Sequence, residues 1–104
     1  MIDINHIKIL VGDRKCNFTE HGRLRSNQRG ATMSQACQSI MNGEIIEEKN
    51  EDYPPIAKFL GTADGERLKV EIMQWKASIS IISVYWVDFK DGIRSGDRVR
   101  GMRK

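Results

Sequence analysis

The chain has 104 residues, is 39% hydrophobic and 30% charged, and carries a formal net charge of +3. That length fits one domain, with or without a tail, and supports a single core without disulfide staples. No apolar run approaches the roughly 18 residues of a membrane span, and the N-terminal residues lack the basic-then-apolar order of a secretory signal. The modest basic excess permits an anionic partner without demanding one.

Residues 2–11 set Ile2, Ile4, Ile7, Ile9, Leu10 and Val11 among polar neighbours, a pattern that fits a short helix or an edge strand. Gly12-Asp13 breaks it. A basic helix is predicted from Glu20 to Arg29, with Thr19 as N-cap and Gly30 as its stop. Its one clear apolar residue is Leu24, so Phe18 just ahead of it is a candidate anchor. A second helix opens on a capping box, Thr32 with Gln35, and carries Met33, Ala36, Cys37, Ile40 and Met41 at helical spacing up to Asn42-Gly43. On that stripe Cys37 reads as a buried structural thiol. Cys16 and Cys37 lie far apart in sequence and form neither a disulfide framework nor a CxxC metal site, and reduced thiols fit a cytoplasmic protein.

After Gly43 the period shortens. Glu44 to Glu48 reads as a first strand, Asn50 to Pro55 as a polar, proline-broken loop, and Ile56 to Ala63 as a second strand. Asp64-Gly65 is a hairpin turn. The third strand puts Leu68, Val70 and Ile72 on one face and Arg67, Lys69 and Glu71 on the other. The fourth, Ser78 to Val87, is rich in Ile and Val on both faces, as a strand inside a sheet would be. Helices followed by strands on short turns predict an α+β fold, an antiparallel meander with helices on one face. Residues 1–88 form that domain. Residues 89–104, with Lys90, Arg94, Arg98, Arg100, Arg103 and Lys104, read as a basic mobile tail without apolar periodicity. Glu44, Glu47, Glu48, Glu51 and Asp52 gather acid on the first strand and its loop.

Chemistry concentrates on the basic helix. His21, Arg25 and Arg29 are spaced four apart and share one stripe. An imidazole can move a proton near neutral pH, and guanidinium groups hold phosphoryl charge. The stripe therefore reads as phosphate chemistry or as a solvated basic face. Arg25 and Arg29 could instead pair with Glu47, Glu48 or Asp52. Tyr85 is a hydrogen-bond donor or a packing aromatic, and Lys69 adds charge if it reaches the same cleft. Trp75 and Trp86 could stack on bases or fill core. His6 reads as incidental.

Several segments resemble a bacterial family, the domain of unknown function numbered 4258. Thr19-Glu20-His21-Gly22-Arg23-Leu24-Arg25 with Gln28-Arg29-Gly30 is similar to its T-K-H-A-x-x-R-x-x-x-R-G opening, with Gly22 in place of the alanine. Asn42 to Glu48 resembles its N-G-E-I-I-E-E link. Tyr53-Pro54, Leu60-Gly61 and Asp64 to Val70 resemble its strand and hairpin, and Ile81 to Tyr85 its closing I-I-T-V-Y, with Ser83 for the threonine. A histidine frequent near the position of Lys69 or Glu71 is absent. The resemblance spans about residues 18–88 and extends to BrnT and RelE-like toxins, barnase and colicin ribonuclease domains.

That resemblance implies one or two N-terminal helices against a curved antiparallel sheet of about four strands. It implies a metal-independent, cofactor-free endoribonuclease, the cytoplasmic toxin of a toxin–antitoxin pair. His21, Arg25, Arg29 and Tyr85 would be catalytic, and Arg23, Lys69, Arg98 and Arg100 would bind RNA. The partners would be RNA, ribosome-bound mRNA included, and an acidic antitoxin. The other reading is a non-catalytic nucleic-acid- or protein-binding domain of the same fold.

Overall fold

A computed structural model describes residues 1–87. The open choice at the N-terminus resolves to a helix, α1 (Ile4–Gly12), whose first amides Asn5 and His6 are capped by the Asp3 side chain. Ile7, Leu10 and Val11 form its buried stripe, so the helical period decides the matter. Lys8 Nζ reaches the Met41 and Gly43 carbonyls at 3.0 and 3.2 Å, where cationic donors satisfy open helix carbonyls. The remaining helices are α2 (Glu20–Arg29), capped by Thr19 and ended by a left-handed Gly30, and α3 (Met33–Asn42), which starts on the predicted capping box.

Five strands form one sheet in the order β1-β5-β4-β3-β2. They are β1 (Cys16–Phe18), β2 (Glu44–Lys49), β3 (Ile56–Ala63), β4 (Glu66–Gln74) and β5 (Ile79–Trp86). The last four make the expected antiparallel meander. The expectation of one or two helices on about four antiparallel strands needs correcting: there are three helices, and β1 pairs parallel with β5, which makes the sheet mixed. A three-residue strand has no measurable alternation, and its partner lies over sixty residues away, so no local signal marks it. Phe18, expected as an anchor, is the last residue of that strand, opposite Ile81. The expected tail, with Arg98 and Arg100, lies outside the described residues.

One face of the sheet meets the helices. Phe59, Val70 and Val84 sit side by side in cross-strand register and are fully buried, together with Ile7 of α1 and Ile40 of α3. The opposite face carries two polar rows at half-buried positions: Lys58, Glu71 and Ser83, then Leu60, Lys69 and Tyr85. Beyond Ile81 strand β5 has no further β1 partner, and α2 covers that edge. Thr19 N donates to the Ile81 carbonyl at 3.0 Å and Arg29 Nη1 to the Val84 carbonyl at 2.8 Å, while Trp86 Nε1 donates to the Arg29 carbonyl at 2.8 Å. A sheet edge with unpaired carbonyls is thereby closed by helix side chains and loop amides.

Candidate functional site

The site is built where α2 overhangs the polar face of β5. Gly22 and Ser26 are the buried positions of α2, and a Cβ on Gly22 would overlap the Ile81 carbonyl. The helix therefore rests on the strand through its smallest residues. Leu24, its one clear apolar residue, is 53% exposed. With Gly22 and Ser26 turned inward, helical spacing leaves His21, Arg25 and Arg29 along the flank that faces Tyr85.

These side chains line one cavity of about 580 Å³ with Glu71, Ile82, Ser83, Tyr85 and Trp86. That size lies within the usual range of ligand sites. Arg29 Cζ is 5.5 Å from the centre of the Tyr85 ring, and Lys69 Nζ is 5.2 Å from it. Both cations are within cation–π range of one aromatic. The four residues expected to be catalytic thus share a cleft, and Lys69 stands beside it.

Two contacts refine the roles. Arg25 Nε donates to His21 Nε2 at 3.4 Å, and Arg25 Nη1 donates to Gln28 Oε1 at 2.9 Å. Arg29 is half structural, since its Nη1 holds Val84. The alternative pairing of these arginines with Glu47, Glu48 or Asp52 is not what the fold supplies. Glu47 instead pairs with Lys58 at 3.2 Å. Burial, and next the charge of Arg25, hold Arg29 below its ordinary guanidinium value, with Tyr85 acting the other way. Arginines four apart on a helix repel one another, and an anion placed between them would relieve that cost.

Arg23 is exposed and is not among the cavity residues. Arg98 and Arg100 fall outside the described residues. Trp86, 8% exposed, belongs to the core and offers the cavity only part of its surface. Trp75 donates from Nε1 to Ser80 Oγ at 3.0 Å in the turn between β4 and β5. His6, expected to be incidental, ties α1 to that turn through Lys76 O at 2.9 Å. Glu71 is the functional candidate that sequence reasoning passed over. Its place on the polar face of the third strand was visible, but nothing local set it opposite the α2 stripe. Among the described residues no three or more His, Cys, Asp or Glu side chains group as a metal ion would need, and no helix is long and apolar enough to cross a membrane.

No curated protein and no solved structure matches the chain. The model of the family described as Domain of unknown function (DUF4258) matches residues 18–86, the span from the last residue of β1 to the last of β5, which contains every residue of the cleft. The chain belongs to the DUF4258 family.

Proposed function

We propose that the protein is a metal-independent endoribonuclease, the toxin of a bacterial toxin–antitoxin pair, that cleaves RNA by attack of the 2′-hydroxyl on the adjacent phosphate. The observation that carries this reading is the gathering of His21, Arg25, Arg29, Glu71 and Tyr85 around one cavity. Such cleavage needs a base for the 2′-hydroxyl proton, an acid for the leaving 5′ oxygen and cations for the charged phosphorane. His21 and Glu71 are the proton-transfer pair. Arg25, with the free nitrogens of Arg29 and the ammonium of Lys69, holds the phosphate, and the Tyr85 hydroxyl donates to it. The kinship with BrnT and RelE-like toxins rests on the sequence resemblance, and an acidic antitoxin suits a cleft with this charge.

The test is cleavage of RNA by the purified protein in the presence of a chelator. The wild type is expected to leave 2′,3′-cyclic phosphate ends, and His21→Ala and Glu71→Gln to lose about 10²–10⁴-fold in rate while staying folded. Cleavage by His21→Ala at the wild-type rate would overturn the mechanism. One observation favours a binding domain without catalysis: Arg25 engages the His21 nitrogen whose lone pair a base would use. On that reading RNA binds and no variant, nor the wild type, cleaves it.

A further inference from the structure

Cys16 and Cys37 lie far apart in sequence, and Cys37 was expected to be an isolated buried thiol. The fold brings them together. Cys16 begins β1 and Cys37 sits in the middle of α3, both pack half-buried against the core, and both are free thiols. Their side chains are hydrogen-bonded to one another. The segment between them, residues 17–36, holds the whole of α2 and therefore His21, Arg25 and Arg29.

We propose that Cys16 and Cys37 form an oxidisable dithiol site that a peroxide converts into an intramolecular disulfide joining β1 to α3. The two sulfurs are already in contact and both retain solvent exposure, so the bond requires no rearrangement of the fold and the oxidant has access. The contact also divides the roles. The hydrogen bond from Cys16 draws the Cys37 thiol below its ordinary value, against the effect of burial. The same contact, with burial, pushes Cys16 up. Cys37 is accordingly the nucleophile, since the thiolate is the reactive form. Its thiolate attacks one oxygen of hydrogen peroxide, the O–O bond breaks, and sulfenic acid and hydroxide form. The Cys16 sulfur then attacks the sulfenic sulfur, the S–S bond forms, and the hydroxyl leaves with the Cys16 proton as water. Two thiols have given two electrons to one peroxide. The product closes a loop around α2 and restricts the unfolded chain, which raises stability.

The test treats wild type, Cys16→Ser and Cys37→Ser with a small excess of hydrogen peroxide, alkylates the remaining thiols and maps peptides without reductant. The wild type is expected to lose both alkylatable thiols and give one cross-linked peptide pair containing Cys16 and Cys37. Dithiothreitol should reverse this, and the oxidised form should melt at a higher temperature. Cys37→Ser is expected to consume peroxide about tenfold more slowly than Cys16→Ser, where a serine hydroxyl can still donate to Cys37. The proposal is overturned if both thiols of the wild type stay alkylatable. It is equally overturned if oxidation yields sulfinic acid at Cys37 or disulfide-linked dimers in place of the internal bond.

Discussion

Gly22 shows how a single residue sets the site. The alanine that the resemblance expects here would favour the helix by about 1 kcal/mol on propensity alone. In this chain its methyl group would overlap the Ile81 carbonyl, a backbone atom fixed by the sheet, so α2 would have to lift off β5. Overpacking of this kind costs about 1–3 kcal/mol, which exceeds the propensity gain. Gly22→Ala is therefore expected to lower stability in urea unfolding, and a stabilised variant would contradict the packing described. The two arginines should separate in the same experiment. Arg29→Ala leaves the Val84 carbonyl without its 2.8 Å donor and should cost about 1–2 kcal/mol. Arg25→Ala, whose partners His21 and Gln28 are exposed, should cost under about 0.5 kcal/mol.

At the scale of elements, the caps divide stability from function. Thr19 Oγ1 accepts from Gly22 N at 2.9 Å and Thr32 Oγ1 from Gln35 N at 3.1 Å. Replacing either by alanine should cost about 1 kcal/mol by thermal melts. Only Thr19→Ala frays the turn that carries His21, so only it should weaken activity on RNA beyond the stability loss. Both caps were legible in the sequence because capping is local chemistry, carried by a hydroxyl and amides two to three residues on. The β2 to β5 meander was legible from alternation and the Asp64-Gly65 turn. Strand β1 was not, since its three residues pair across the chain. Nor was Glu71 opposite His21, nor Cys16 beside Cys37, because sequence periodicity assigns a face and leaves open which other face it meets. The His21, Arg25 and Arg29 stripe was visible as a row, but its direction toward Tyr85 is set by Gly22 and Ser26, whose burial only the fold reveals.

Across the whole molecule, charge is sorted along the sheet. β2, with Glu44, Glu47 and Glu48, lies at one edge, and the basic α2 covers β5 toward the other. An RNA strand held by Arg25, Arg29 and Lys69 would displace counterions from about three phosphates, so log affinity should fall with log salt at a slope near −2. The most direct test of the cleft as an RNA site is the affinity for a short 2′-O-methyl RNA, which binds but offers no nucleophile, measured for wild type and Arg25→Ala across a salt series. The account predicts salt-sensitive binding by the wild type, about tenfold or more weaker in Arg25→Ala, with a shallower slope and an unchanged melting temperature. Equal affinity and slope for the two proteins would contradict it.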